Sequence, residues 1–171
     1  MTTLARRVYD AAHLTGTFTL RSGQTATEYF DKYRFEADPV LLRDIATALA
    51  PLVPDGIDAL AGLELGGVPI ATALSMATGI PARFVRKEAK TYGTCLLAEG
   101  GDIDGLRLLV VEDVVTTGGQ VLLSTADLRA RGAVVDTVLC VIDREAGGTE
   151  AFAAEDLELR ALFRMSELLP G

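Results

Sequence analysis

The chemistry of this 171-residue chain concentrates in Leu108–Gln120, LLVVEDVVTTGGQ. Four apolar residues predict a buried strand. Two adjacent acids, Glu112 and Asp113, follow where that strand is expected to leave the sheet. Val114 and Val115 then lead to Thr116, Thr117, Gly118 and Gly119, directly before a helical pattern that begins at Gln120. Small residues let backbone N–H groups converge, threonine hydroxyls add donors, and a helix N-terminus contributes partial positive charge. That combination is a cradle for phosphate. It is not the P-loop, which needs Gly-Lys-Ser/Thr. The two acids are anions and cannot take phosphate. They can accept hydrogen bonds from sugar hydroxyls or hold water on a magnesium ion. The segment therefore predicts a site for a phosphorylated sugar, with Thr116–Gln120 on the phosphate and Glu112 and Asp113 on the sugar. An ordinary strand-to-helix turn with caps would not need all of these features together.

The cations are placed to match. The chain carries 24 acids against 16 bases, a net charge of −8. That balance argues against general nucleic-acid binding, which needs a basic footprint. Yet Arg83, Arg86, Lys87 and Lys90 fall within eight residues. Such a cluster on an acidic protein suits a small polyanion, with a solvated basic face as the alternative. A cation about 4 Å from a unit negative charge is worth roughly 4 kcal/mol at an effective dielectric of ~20. Since ~1.4 kcal/mol is tenfold in rate, one such contact is large. Further on, Arg144 in DREAGG could bind a carboxylate through both arms of its guanidinium, or form a structural ion pair. Gly66-Gly67, before a helical pattern, is either a plain turn or a source of N–H donors for an anion. Phe30, Tyr33 and Phe35 are candidates for a pocket wall or for the core.

The elements that must position these residues are regular. Hydrophobic residues make up 49% and charged residues 23%, which fits one globular domain with a real core. The most apolar stretch, Leu63–Pro81, is broken by Glu64, Gly66, Gly67, Pro69 and Gly79, so no membrane span is expected. The N-terminus lacks the apolar segment of a signal peptide. Cys95 and Cys140 are then expected as free thiols in the cytoplasm, and His13, the single histidine, is expected to be structural. Periodicity predicts a short helix in the first dozen residues, a strand at Phe18–Leu20, and a helix from Asp38-Pro39 to Pro51. A strand at Ile57–Leu63, a helix at Val68–Thr78 closed by Gly79, and a strand at Ala82–Arg86 follow. Glu88–Gly105 reads as a long loop or a short irregular hairpin. Next come a strand at Arg107–Val111, a helix at Gln120–Arg131 and a strand at Val134–Ile142. The stretch from Glu150 reads as a small helix, a strand (LELRALF) and a final turn. This order predicts an α/β fold with a largely parallel central sheet flanked by helices. Ligands then sit outside the carboxyl ends of the strands, where Glu64–Gly67, Glu112–Gln120 and Asp143–Gly148 fall.

VVEDVVTTGG resembles the phosphoribosyl diphosphate (PRPP) motif of the type I phosphoribosyltransferases. The resemblance runs from about Phe18 to Gly148 and includes FTLRSG, EYFDKYRFEADP, GGVPIA, VRKEAKTYG and VIDREAGG. VRKEAK and DREAGG together resemble the orotate branch. The resemblance implies one domain over residues 1–171, with a small N-terminal hood (about 1–37) and a long mobile catalytic loop (about 88–105). It implies PRPP and orotate as substrates, Mg2+ as cofactor, and a homodimer whose loop residues reach the neighbouring site. Lys90 and Asp113 would be catalytic. Arg86, Lys87, Lys90, Tyr92 and residues 112–120 would bind PRPP. Thr116, Arg144 and Arg21 would bind orotate. Two positions depart from similar enzymes: Tyr92 stands where they often have His, and Gly66 where some have Lys. Both changes remove a possible cation. They leave a transferase for another base, such as a purine, and a PRPP-sensing regulator without turnover as the alternatives.

Overall fold

The computed structural model describes residues 3–19, 23–88 and 96–168. Strands β1 (His13–Thr19) and β2 (Thr25–Phe30) pair antiparallel as a separate ribbon. The other strands are β3 (Ala59–Leu63), β4 (Ala82–Val85), β5 (Ala98–Glu99), β6 (Arg107–Val115), β7 (Val134–Asp143) and β8 (Glu158–Arg164). They form one six-stranded sheet in the order β5-β4-β3-β6-β7-β8. All pairs are parallel except β4 with β5. The expected α/β architecture is present, and the part of Glu88–Gly105 that is described returns as half of a short hairpin.

Helices α1 (Leu4–Ala12), α2 (Tyr33–Ala37), α3 (Pro39–Leu49), α4 (Gly67–Thr78), α5 (Gly119–Arg129), α6 (Gly148–Ala153) and α7 (Met165–Leu168) surround the sheet. Asp38 caps α3 by accepting from the Val40 and Leu41 N–H groups at 2.9 and 3.0 Å, with Pro39 in the first turn. Alternation along the strands divides the core into two layers. Leu108, Val110, Val138 and Cys140 face α5 and α6 through Val121, Leu128 and Phe152. Leu109, Val111, Leu139 and Val141 face α1 to α4 through Tyr9, Phe35, Ile45, Ile70 and Leu74. No helix among the described residues is long and apolar enough to cross a membrane.

Three sequence expectations need correction. The central strand does not end at Val111. It runs to Val115, with Glu112 opposite Cys140 and Val115 opposite Asp143. The acids therefore belong to the strand rather than following it, because pairing with β7 continues under a change from apolar to acidic residues. The first strand starts at His13, not Phe18, and pairs with β2, whose polar, mostly exposed sequence TATEYF hides it from a hydrophobicity reading. Helix α2 was also unexpected; it is only five residues long.

Candidate active site

A cavity of about 430 Å³ opens at the carboxyl end of β6. Residues Val114–Val121 wrap one side of it; Lys32, Tyr33, Glu64, Leu65, Lys87 and Glu112 complete the wall. Thr116, Thr117, Gly119 and Gln120 are exposed to it, while Gly118 is buried. Gly118 has φ +77°, a conformation that costs an L side chain ~1–2 kcal/mol, and a Cβ there would overlap the Phe152 ring of α6. The next residue begins α5, and Leu122 N–H donates to the Gly118 carbonyl at 3.0 Å. The cavity thus offers small residues, two hydroxyls and the start of an 11-residue helix, an arrangement that suits a phosphate-sized anion.

The two acids have different surroundings. Glu112 lines the cavity. Asp113 is fully buried and does not line it. Adjacent strand residues turn to different neighbours, and Asp113 lies over the start of α4, where a Cβ on Gly66 would overlap its carboxylate. A Cβ on Gly67 would likewise overlap the Val111 carbonyl. The Gly66-Gly67 pair is therefore required by close helix–strand packing.

Lys32 reaches Asp113 across 81 residues of sequence, with Nζ 2.9 Å from Oδ1 and 2.7 Å from Oδ2. Val114 N–H also donates to Oδ1, at 2.6 Å. Glu36 of α2, 7% exposed, is the other acid that interacts with this carboxylate. Burial, then the hydrogen bond to Asp113, pushes Glu36 up to about 9. The same two causes push Glu112 up to about 9. Burial works against the charge on Asp113, but hydrogen bonds from Glu112, Glu36 and Lys32 hold it below its ordinary value. Burial also opposes the charge on Lys32, and the hydrogen bond and attraction to Asp113 outweigh it, so its ammonium is raised. The cluster is one Lys⁺ against one carboxylate, flanked by two carboxyls that keep their protons well above the usual range.

The basic cluster is dispersed. Arg83 donates to the carbonyls of Asp102 and Ala82. Arg86 pairs with Glu99 at 3.4 Å and lines a neighbouring recess of about 160 Å³. Lys87 reaches the main cavity. Arg21, Lys90, Tyr92 and Cys95 lie outside the described residues. The Arg144 N–H bonds the Val115 carbonyl at 2.8 Å, which fixes it beside the cradle, and its side chain lines a second cavity of about 320 Å³ with Tyr29, Phe30 and His13. Thr116 lines the first cavity. Phe35 is core, Phe30 is half-buried at the second cavity, and Tyr33 walls the first. His13 stacks on Tyr9 at 4.7 Å. Cys140 is a buried free thiol whose pKa burial pushes up. Sequence reasoning missed Lys32 and Glu36. Their i, i+4 spacing reads as a solvated helix pair, and only the docking of α2 against β6 brings them to Asp113.

The cradle at the end of β6, in a sheet of this order, is that of a phosphoribosyl-transferring protein, and the phosphoribosyl transferase domain family matches residues 34–153. The orotate phosphoribosyltransferase of Nocardioides sp. is 57% identical over 166 residues, 97% of this chain and 93% of that protein. A crystal structure of the Mycobacterium tuberculosis orotate phosphoribosyltransferase, in complex with Fe(III) dicitrate, superposes with TM-score 0.87 at 36% identity, covering 96% of each chain. The same enzyme in complex with PRPP gives TM-score 0.82 at 33% identity, again over 96% of each. The chain belongs to the orotate phosphoribosyltransferase family.

Proposed function

We propose that this protein transfers the phosphoribosyl group of PRPP to orotate, giving orotidine 5′-phosphate and diphosphate in pyrimidine biosynthesis. A ring nitrogen of orotate forms the bond to C1 of the ribose as the C1–O bond to diphosphate breaks. The electron pair of that bond leaves with diphosphate, and the proton on the attacking nitrogen passes to diphosphate or water. No side-chain nucleophile is required, so catalysis rests on positioning and electrostatics. The observation that carries the reading is one cavity holding both the Thr116–Gln120 cradle and an acid, Glu112, with Lys32 and Lys87 on its wall.

In this reading Thr116–Gln120 hold the 5-phosphate and Glu112 takes the ribose hydroxyls. Asp113 acts from behind the wall rather than from within it. Lys87, with Lys90 and Tyr92, stabilises the leaving diphosphate; Arg86 is engaged with Glu99 and stands beside that role. Arg144, with Thr116 and Arg21, takes the orotate carboxylate and ring. Glu64, on the cavity wall, is the oxygen-donor type that would fit a magnesium ion keeping most of its waters. Bound through PRPP oxygens and water, Mg2+ would neutralise part of the charge on the diphosphate. The enzyme works in the cytoplasm as a homodimer whose 88–105 segment is shared between sites. The exposed side chains of Leu65, Phe84 and Leu96 support such a surface.

The test is orotate depletion followed by ultraviolet absorbance with PRPP and Mg2+, comparing the wild type with Lys90→Ala. The expected result is PRPP-dependent depletion that collapses in the variant. A folded wild type that binds PRPP without consuming orotate would overturn the reading. Turnover of a purine would then identify another base, and PRPP binding without diphosphate release would identify a regulator.

A further inference from the structure

Asp113 carries the charge that an acid of the sugar site needs, yet it is fully buried and turned away from the cavity. Both of its oxygens lie within 2.9 Å of Lys32 Nζ. The space it occupies exists because Gly66 has no side chain. Lys32 itself is part of the cavity wall, with its side chain 32% exposed. Its ammonium also lies 5.4 Å from the Tyr33 ring, a cation–π distance that fixes it further. The lysine comes from the segment between β2 and α2, and the aspartate from the centre of the sheet. The ion pair therefore joins the N-terminal ribbon and α2 to the strand that ends in the phosphate cradle. Glu36, 7% exposed, is a further buried acid acting on the same carboxylate.

We propose that Lys32 is a positioning residue for the sugar end of PRPP: by holding the Asp113 carboxylate at the back of the wall, it leaves Glu112 as the acid presented to the ribose hydroxyls. This rests on the reading of residues 112–120 as the ribose-phosphate site. Lys32 acts through Asp113. Without the ammonium, Asp113 is a buried charge with no countercharge, next to Glu112 and Glu36. Asp113 then competes with Glu112 for its proton and is no longer held at the back of the wall. The sugar contacts degrade while the phosphate cradle, built from backbone at Thr116–Gln120, does not.

The experiment measures binding of ribose 5-phosphate and of inorganic phosphate by calorimetry to the wild type, Lys32→Met, Asp113→Asn and the double variant, with thermal melts alongside. Expected is a roughly tenfold loss of ribose 5-phosphate affinity in Lys32→Met, with phosphate affinity within about twofold of wild type. In the Asp113→Asn background, Lys32→Met should change ribose 5-phosphate affinity by less than about twofold, because the group it acts through has lost its charge. Equal weakening of both ligands would overturn the inference in favour of general damage. The same tenfold loss in both backgrounds would overturn it in favour of direct contact between Lys32 and the ligand. If Lys32→Met alone does not fold, the double variant against Asp113→Asn carries the test, since the pair is removed together and no lone buried charge remains. There, affinities within twofold support the inference and a further tenfold loss overturns it. A wild type that binds neither ligand overturns the sugar-phosphate site itself. A wild type that binds both, with Lys32→Met unchanged, overturns only the role of Lys32.

Discussion

The turn at Thr116–Gln120 and the acid cluster adjoin each other at the end of β6 and are built in opposite ways. Thr116–Gln120 are contiguous, and the donors they offer are mostly backbone N–H groups with charge supplied by peptide dipoles. Lys32, Glu36, Glu112 and Asp113 come from two distant parts of the chain and use formal charges in a buried setting. A cradle of the first kind is fixed by the local path of the chain and has nothing that titrates. A cluster of the second kind exists only while α2 is docked, and its charge depends on how many protons it holds. Desolvation makes it costly to leave any one member without its partner.

This contrast can be broken most severely at Gly118. Gly118→Val should lose at least about a hundredfold in kcat/KM for PRPP, because the positive φ and the Phe152 ring both exclude a side chain. Phosphate binding should fall in parallel in the same calorimetric titration. Next comes Asp113→Asn, which leaves Lys32 facing a neutral amide. It should cost about 1–3 kcal/mol in urea unfolding, less than a fully buried pair because Lys32 is partly solvated. Phosphate affinity should stay near wild type, which separates the two regions.

A smaller effect is expected at Glu36, and it depends on pH. Its folded pKa of about 9 exceeds the ordinary 4.5, so between those values the folded state holds more protons than the unfolded state. Stability from this group is therefore highest at low pH and falls as pH rises from about 4.5 to 9. Glu36→Gln mimics the protonated form. Its melting temperature should match wild type near pH 5 and exceed it increasingly toward pH 9, by a few degrees, ~1 kcal/mol being about 2–4 °C at this size. A slope from Glu112 remains, since its shift has the same direction. Parallel melting curves across that range would show that Glu36 is not held neutral. The smallest effect is at Tyr33→Leu, which removes the cation–π contact to Lys32. About 0.5–1 kcal/mol predicts a two- to fivefold rise in KM for PRPP, measured in the orotate assay.

What the amino-acid sequence made legible follows the same division. Asp38-Pro39, Gly79 and the TTGG turn act within a few residues of themselves, and α3, α4 and the cradle appear where those signals place them. The continuation of β6 through Glu112 and Asp113 was not legible, because the pairing that sustains it lies on β7. Nor was the role of Gly66: the sequence offers a turn or an anion donor, whereas the folded chain shows a carboxylate filling the space of its absent side chain. Lys32 and Glu36 look like any solvated pair until α2 meets the sheet. The basic run at residues 83–90 was legible as a cluster but not as a set of separate partners, since Glu99 and the Asp102 carbonyl take two of its arginines.

The two margins of the central sheet carry a consequence for aggregation. A strand with an open side is a template for another copy, and proteins blunt such sides by shortness or by charge. Here one margin is β5, only two residues long. The other is β8, where Glu158, Arg160 and Arg164 interrupt the run and Arg160 is tied to Glu158 and to the Leu52 carbonyl. Neither margin favours growth of the sheet from molecule to molecule. Copies that associate are therefore not guided to join through the margins of the central sheet, so its apolar layer can stay large without seeding fibres.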